Sequence, residues 1–197
     1  MERRNVTGCK KKAAEEGSLI LYADESSVPL NPYVSHTYAR RGRRPVIKVS
    51  SDIHRRIYLA SAISSRGELW YCIRNKPFDG VAIVEFLKQL LDKEYSTEKL
   101  VLIWDNTTIH NCETTRTFLS THNQAQRLQL VQLPTYSPEL NADEQVWHYL
   151  KCVLLKDTTT KEMNQLQTNI ENGLIAMKNN SRLIAKFFHH PNVCFYN

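Results

Sequence analysis

Long hydrophobic runs are missing from this 197-residue chain. Spanning a bilayer takes roughly 18 to 20 consecutive apolar residues, and no run in the sequence approaches that length. The amino-terminal residues Met1-Glu2-Arg3-Arg4 lead into Lys10-Lys11-Lys12 and not into the apolar core of a signal peptide. We therefore expect no membrane association and a cytoplasmic location.

Regular cysteine spacing, internal repeats and low-complexity linkers are missing too. The five cysteines are odd in number and widely scattered, with no Cys-x-x-Cys pair, which argues against a disulfide framework and against a structural zinc site. We expect one domain over residues 17–197, preceded by a basic segment at residues 1–16.

Positive charge is concentrated in one part of the chain. The formal net charge is +6, and four arginines occur together in Arg40-Arg41-Gly42-Arg43-Arg44-Pro45. Gly42 and Pro45 predict a loop here. The cluster favours binding to a polyanion, with a solvated basic loop that has no partner as the alternative.

Three carboxylates occur where predicted elements end or begin. Asp24 follows the apolar run 19–23, Asp105 follows the apolar run 100–104, and Glu144 opens an amphipathic stretch. A carboxylate at a strand end can reach solvent and a cation, whereas one deep inside a sheet would cost several kcal/mol. Two such acids close together repel each other, and a divalent metal ion resolves that conflict.

Hydrophobic periodicity predicts alternating strands and helices. Asp79 is a candidate N-cap for the first helix. The expected strands are 18–24, 46–50, 57–64, 68–74, 100–105 and 128–133, and the expected helices are 80–93, 111–122 and 142 to about 155. This order is that of an α/β fold with a ribonuclease-H-like mixed five-stranded sheet flanked by helices.

Three blocks of residues resemble the motifs of DDE transposases, a class related to retroviral integrases. They are Tyr22-Ala23-Asp24-Glu25-Ser26, Trp104-Asp105-Asn106 with His110, and the stretch from Pro134 to Trp147 with its sequence Pro-Thr-Tyr-Ser-Pro-Glu-Leu-Asn-Ala-Asp-Glu-Gln-Val-Trp. The nearest branch is the mariner-like transposases of bacterial insertion sequences, and the last block is the most specific of the three.

The resemblance implies a metal-dependent transposase catalytic domain. Asp24, Asp105 and Glu144 would hold two Mg²⁺ or Mn²⁺ ions, cleave transposon-end DNA and join it to target DNA. Asn106 and His110 would support Asp105 without binding the metal ions themselves. The residues expected to contact the phosphates of double-stranded DNA are Arg40, Arg41, Arg43 and Arg44. The implied assembly is a homodimer, and the implied location is the nucleoid.

Several of these residues have alternative interpretations. Asn141 and Glu144 also fit a helix-capping box, in which Glu144 bonds back to the Asn141 amide. His110 has two candidate roles, to contact DNA phosphate or a metal-bound water, or merely to order its loop. Asp143 is a lesser candidate ligand. Glu25 should point away from Asp24 and serve as a surface or hydrogen-bonding acid.

The sequence also departs from the pattern that it resembles. Thirty-eight residues lie between Asp105 and Glu144, a few more than is common, and Ala142 replaces a usual proline. The helix-turn-helix region that precedes the catalytic domain in this family is not seen ahead of the first strand. A separately encoded DNA-binding subunit, a truncated element and a catalytic fragment all remain open, as do a nuclease that cuts without joining and a silent remnant that regulates an intact transposase.

Overall fold

A mixed five-stranded sheet organises the molecule, in the strand order β3-β2-β1-β4-β5. The computed structural model describes residues 13, 15–30, 38–43, 46, 55–122, 127–134, 137–156, 158, 160 and 162–189. Strands β1, β4 and β5 run parallel to one another, and β2 and β3 pair antiparallel. The strands are β1 (Leu19–Pro29), β2 (Arg56–Ser64), β3 (Leu69–Arg74), β4 (Leu100–Trp104) and β5 (Leu128–Gln132).

Helices cover both faces of the sheet. One face packs against α1 and α2, and the other packs against α3, α4 and α5. No helix in the described part of the chain is long and apolar enough to cross a membrane. The helices are α1 (Gly80–Gln89, continued by a π-helical turn Leu90–Glu94), α2 (Glu113–His122), α3 (Glu144–Tyr149, continued by a π-helical turn Leu150–Leu154), α4 (Met163–Lys178) and α5 (Ser181–Phe187).

Strand β1 is long and projects past its parallel neighbour. It pairs with β2 from Leu21 to Pro29 but with β4 only from Leu19 to Tyr22. Because side chains alternate along a strand, Tyr22 and Val28 pack on the α3 side while Leu21 and Ala23 pack on the α1 side. Asp24 and Glu25 therefore face opposite sides of the sheet, as the alternation predicted.

Most predicted elements are found near their expected positions. Asp79 caps α1, its Oδ1 accepting a hydrogen bond from the Ala82 amide at 2.8 Å. The predicted strand 18–24 begins one residue later than expected, at Leu19, and ends five residues later, at Pro29. Helix α3 begins at Glu144 and not at residue 142. Apart from Val46, the predicted strand 46–50 lies outside the described residues, as do Arg44 and all but three residues of the basic segment 1–16.

The hairpin turn between β2 and β3 marks the end of the sheet away from Asp24. Gly67 has a φ of +90° there, and an added Cβ would clash with the Ser181 carbonyl, so the position requires glycine. Glu68 accepts hydrogen bonds from the hydroxyls of Ser64 at 2.6 Å and Tyr95 at 3.2 Å. Arg66 and Glu98 form an ion pair nearby, at 2.7 Å.

Candidate active site

The fold brings Asp24, Asp105 and Glu144 to the same cleft, of about 410 Å³. Asp24 lies on β1 just beyond its last pairing with β4, Asp105 directly follows β4, and Glu144 is the first residue of α3. Asn106, Thr107 and the loop after β5 complete the lining. The three carboxylates lie far apart in the sequence. They come together because β1, β4 and α3 meet at one edge of the sheet.

Asp24 is in an unfavourable position for an isolated carboxylate. Burial raises its pKa well above the ordinary value, and the negative charges of Glu144, Asp143, Glu25 and Asp105 raise it further. Burial also raises the pKa of Glu144, an effect that Lys151 partly offsets. The apolar residues 19–23 are packed in the core and fix the position of Asp24. The repulsion between Asp24 and the neighbouring acids is therefore a consequence of how the core packs.

The turn before α3 fixes the position of Glu144 through contacts of Asn141, and the Glu144 side chain takes no part in them. Asn141 donates from Nδ2 to the Ala23 carbonyl at 2.9 Å and accepts at Oδ1 from the Asp143 amide at 3.1 Å. The Asn141 amide donates to the Pro138 carbonyl at 2.9 Å, so the predicted bond from Glu144 back to that amide is not formed. This part of the capping-box interpretation is wrong, and the Glu144 carboxylate lines the cleft instead.

His110 links two acids and is shut off from solvent. Its Nε2 lies 3.0 Å from Glu25 Oε1, and its Nδ1 lies 3.0 Å from the side chain of Asp105. The ring stacks on Trp104 with centroids 3.7 Å apart. Because its side chain is 0% exposed, the structure favours the loop-ordering role over direct contact with DNA. Glu25 is accordingly a hydrogen-bonding acid.

His110 and Asp105 shift each other's pKa in opposite directions. Burial alone would lower the pKa of His110, but the hydrogen bonds to Asp105 and Glu25 outweigh burial and raise it to about 10. Burial also opposes ionisation of Asp105, yet hydrogen bonds from His110 and Thr107 lower its pKa. These hydrogen bonds favour the ionised form of Asp105 and the protonated form of His110, and they set the orientation of the carboxylate.

Two amide side chains tie the Asp105 loop to β5. Asn111 donates to Asn106 Oδ1 at 2.8 Å, and Gln132 donates to Asn111 Oδ1 at 2.6 Å. Asn106 itself lines the cleft beside Asp105. It thus has the position of a supporting residue, although the predicted roles of Asn106 and His110 in catalysis stay predictions.

Asp143 lies beside the cleft but in the protein interior. It is fully buried, and its Oδ2 accepts a hydrogen bond from Ser61 of β2 at 2.6 Å. Burial raises its pKa well above the ordinary value. A buried acid with a hydroxyl partner is a poorer metal ligand than the cleft residues, which agrees with its place as a lesser candidate in the sequence.

Among the described residues, two sets of side chains around Asp105 have the chemistry to hold a cation. Glu25, Asp105 and His110 each offer an atom within 4.8 Å of the others. Their closeness results from hydrogen bonds to the imidazole, whose proton a metal would have to displace. Asp24, Asp105 and Glu144 instead present oxygen ligands to an open cleft, which suits Mg²⁺ and Mn²⁺ better.

Three of the four predicted DNA-binding arginines lie on the surface, and the fourth, Arg44, lies outside the described residues. Arg40, Arg41 and Arg43 are exposed, with Gly42 in a left-handed turn at φ +83° between them. Exposure is required for phosphate contact but is equally expected of a solvated loop, so DNA binding by this loop stays a prediction.

Sequence reasoning missed two residues that contact the site. Ser61, which holds Asp143, gave no signal, because its position depends on the pairing of β2 with β1. Lys151 interacts electrostatically with Glu144 and Asp24, and its Nζ donates to Ser26 Oγ at 2.6 Å. Its spacing of seven residues from Glu144 puts it two helical turns along the same face, a signal that was available in the sequence.

Comparison with known proteins places this chain in a family. A sequence model of the DDE superfamily endonucleases matches residues 19–167. The chain belongs to that superfamily of endonucleases, because the match covers about three quarters of its length. The three motif blocks at residues 22–26, 104–110 and 134–147 all lie inside the matched region.

Individual relatives agree with this assignment. The chain is 26% identical over 158 residues to the insertion element IS630 uncharacterized 39 kDa protein of Shigella sonnei, covering 79% of this chain and 45% of that protein. The chain thus spans under half the length of this curated relative.

The fold is shared with the Mos1 mariner transposase. The crystal structure of its catalytic domain matches 99% of this chain and 92% of that one, with 13% identity and a TM-score of 0.62. The Mos1 paired-end complex with Mn matches 99% of this chain and 61% of that one, with 14% identity and a TM-score of 0.67. These likenesses establish the ribonuclease-H-like architecture.

Proposed function

We propose that this chain is a metal-dependent DNA endonuclease and strand transferase that cleaves transposon ends and joins them to target DNA. The observation that carries the proposal is the convergence of Asp24, Asp105 and Glu144 on one cleft. Their mutual repulsion has no structural benefit within the described residues, but it suits a site that binds cations.

The donor set fits hard divalent cations. All three side chains supply carboxylate oxygens, and burial and repulsion raise the pKa of Asp24 in the absence of such ions. Asp24, Asp105 and Glu144 would hold two Mg²⁺ or Mn²⁺ ions. When bound, these ions supply Lewis acidity at the scissile phosphate and at the attacking and leaving oxygens of an in-line displacement.

The protein's own residues provide orientation. His110 keeps one oxygen of Asp105 fixed, and Asn141 ties the start of α3 to β1 through the Ala23 carbonyl. This bond fixes the position of Glu144, on α3, relative to Asp24, on β1. Preorganised ligands lower the reorganisation needed at the moment of reaction.

The relatives support the same proposal. Solved Mos1 structures include a paired-end complex with Mn, a paired-end complex with Mg and a strand transfer complex. The matched relative from Shigella sonnei is named as a protein of an insertion element. We propose double-stranded DNA as the substrate and a homodimer as the working assembly.

Metal-dependent cleavage tests the proposal directly. We expect supercoiled plasmid to be nicked in Mg²⁺ or Mn²⁺, and not in EDTA. Asp105→Asn and Glu144→Gln should abolish nicking while leaving circular dichroism spectra unchanged, since the amides keep the size of the side chains. Equal rates in EDTA and Mg²⁺ by nuclease-free protein would overturn the enzymatic assignment.

An assay for joining of DNA ends distinguishes a transposase from a nuclease. A pre-cleaved end with a free 3′-hydroxyl should become covalently linked to plasmid in Mn²⁺. Cleavage without joining would favour the nuclease of the same fold, and DNA binding without either reaction would favour the silent regulator. Supplying a helix-turn-helix subunit in trans should raise end specificity, because direct readout requires an element that enters a groove.

The arginine loop gives a separate prediction about binding. Replacing Arg40, Arg41, Arg43 and Arg44 by alanine should weaken binding to unrelated duplexes alike. The slope of log affinity against log salt should fall by about 0.9 for each phosphate that the loop no longer neutralises. A salt titration by fluorescence anisotropy measures the slope, and an unchanged slope would identify a solvated loop.

A further inference from the structure

Asp143 lies at the N-cap position of α3 but does not cap the helix. An aspartate at this position ordinarily accepts a hydrogen bond from an amide of the first helical turn. The Asp143 side chain makes no such bond. It points into the protein interior, where its Oδ2 accepts a hydrogen bond from Ser61 Oγ at 2.6 Å. Asp143 therefore bonds to a residue 82 positions away in place of its own helix.

The protein interior is an unfavourable place for this carboxyl group. Asp143 and Ser61 are both 0% exposed. The second carboxyl oxygen, Oδ1, has no hydrogen-bond partner among the described residues. A buried polar atom without a partner lowers stability, and two apolar side chains of similar shape would fill the same space without that cost. The pair therefore stabilises the fold less than an apolar pair would.

Ser61 lies directly opposite Asp24 in the sheet. The two residues are Cα partners in the antiparallel pairing of β1 with β2, and such partners project to the same face. Asp143, in turn, directly precedes Glu144, the first residue of α3. The hydrogen bond between Ser61 and Asp143 thus joins the cross-strand neighbour of one cleft carboxylate to the chain neighbour of another.

The start of α3 is anchored to two different strands. Asn141 donates to the Ala23 carbonyl of β1 at 2.9 Å, and the second anchor is the bond from Asp143 to β2. A single hydrogen bond leaves a segment free to pivot about it, whereas two bonds to neighbouring strands fix its orientation. Adjacent residues of a helix point about 100° apart. With Asp143 directed at the sheet, Glu144 is directed into the cleft.

We propose that Asp143 is a positioning residue of the metal site, which acts through its bond to Ser61 to orient the Glu144 carboxylate towards the cations. The inference rests on the proposed function, because it requires Asp24, Asp105 and Glu144 to bind Mg²⁺ or Mn²⁺. Asp143 is not itself assigned as a ligand, since its side chain is fully buried. Loss of a residue that orients metal ligands typically weakens metal binding by about 10- to 100-fold.

A purely structural tie between α3 and β2 is the competing role. Removing such a tie would lower stability and leave metal affinity unchanged in every variant that folds. The double variant Ser61→Ala/Asp143→Leu distinguishes the two roles, because it removes both polar groups together and leaves an apolar pair. Its melting temperature in EDTA should equal or exceed that of wild type. Its Mn²⁺ affinity should nevertheless be weaker by about tenfold or more.

The test is a titration of the full chain with Mn²⁺ in the absence of DNA. Electron paramagnetic resonance measures the free ion and gives the affinity without an activity assay. Ser61→Ala alone should weaken Mn²⁺ binding by about tenfold. Asp143→Asn should lie within about threefold of wild type, since an asparagine Oδ1 can still accept from Ser61. A tenfold loss in Asp143→Asn would contradict the proposal, because the charge of Asp143 and not its hydrogen bond would then matter.

Dependence on Glu144 is tested in a second background. If the pair acts by orienting Glu144, Ser61→Ala should cause no further loss once Glu144→Gln has removed that ligand. Asp24 and Asp105 remain in this background, so the residual Mn²⁺ binding can be compared. Additive losses would overturn the proposal.

A matched control lies on the same strand. Ser64 of β2 is also 0% exposed, and its Oγ also donates to an acid at 2.6 Å, in this case Glu68 at the other end of the sheet. Ser64→Ala removes an equivalent hydroxyl and should keep the wild-type Mn²⁺ affinity. Equal losses in Ser61→Ala and Ser64→Ala would refute a specific role for Asp143.

Cleavage of DNA in Mn²⁺ is measured separately. The expected pattern of affinities in a chain that does not nick DNA would leave the inference standing and the proposed catalysis overturned. Wild-type affinity in the double variant of a chain that does nick DNA would overturn the inference alone. If the wild-type chain binds no Mn²⁺, the inference is overturned whether or not DNA is nicked.

Discussion

Acidic side chains have opposite surroundings at the two ends of the central sheet. Near the β2–β3 turn, Glu68 has two hydroxyl donors and Glu98 has an arginine. At the other end, Asp24 and Glu144 are partly buried near other acids, and the pKa of each is raised. Hydrogen bonds and an ion pair at one end stabilise the fold, whereas the raised pKa values at the other end suit the cation-binding site proposed above.

The largest expected effect is on catalysis. Asp24→Asn should lower metal-dependent cleavage by about a thousandfold or more, because several kcal/mol of transition-state stabilisation depend on the bound cations. Glu68→Gln makes the same acid-to-amide change at the other end and should leave the rate unchanged. Nicking rates of the two variants in Mn²⁺ make the comparison, and a similar decrease in both would contradict it.

Removing His110 should have the next largest effect, this time on stability. His110→Ala leaves Glu25 without its imidazole partner and removes a ring stacked on Trp104, so we expect a decrease of about 3 kcal/mol in the free energy of unfolding. Denaturant unfolding of the metal-free protein measures it.

The contribution of His110 should also depend on pH. Its pKa is raised from 6.5 to about 10, so its stabilisation is complete below about pH 6.5 and is lost as the pH rises through about 10. The difference in unfolding free energy between wild type and His110→Ala should therefore shrink across that range. A difference that grows with pH would show that the imidazole is neutral in the folded protein.

Changing an acid to an amide should alter stability with opposite signs at the two ends. Glu68→Gln should destabilise the protein by about 1–3 kcal/mol, because it weakens two hydrogen bonds to a charged acceptor. Asp24→Asn should stabilise the metal-free protein, raising its melting temperature by roughly 2–4 °C for each kcal/mol of repulsion removed.

The sign of the Asp24 effect follows from its raised pKa. Neutral Asp24 is tolerated in the folded protein, and that stability is present below the unfolded value of 3.8 and lost as the pH rises. The advantage of Asp24→Asn should therefore be larger at pH 8 than at pH 5. Melting temperatures in EDTA at the two pH values check it, and saturating Mn²⁺ should reverse the order by stabilising wild type alone.

The smallest expected effect concerns an acid at the start of α1, Asp79, which has a structural partner. Asp79→Ala should cost about 1 kcal/mol because the N-cap is removed, and Asp79→Asn should cost little, because asparagine caps equally well. Neither should change cleavage. Inactivity of Asp79→Asn would show that its charge, and not its hydrogen bond to Ala82, matters.

The elements that local pattern dictates were predictable from the sequence. The apolar runs before Asp24 and Asp105 predicted β1 and β4, and the motif blocks singled out the residues that line the cleft. The second half of β1, Glu25 to Pro29, has no hydrophobic pattern and is a strand because β2 pairs with it. Nonlocal pairing of this kind leaves no local signal.

The surroundings of the site were less predictable for the same reason. His110 was a candidate from its motif, but its bond to Glu25 joins residues 85 positions apart. The bond from Asn141 to the Ala23 carbonyl spans 118 positions. Such contacts depend on the assembled sheet, whereas Lys151 could have been found from helical spacing alone.

The alternation of side chains along β1 has a genetic consequence. Asp24 and Glu25 are adjacent acids with different tasks, one facing the cleft and the other facing His110, and only the two-residue alternation of the strand separates them. Deleting a single codon between Leu19 and Ala23 would slip the strand by one position and exchange the faces of both. Under the proposed function, such a deletion would abolish transposition although it keeps the reading frame and every acidic residue. We therefore expect it to be absent from copies of the element that still transpose.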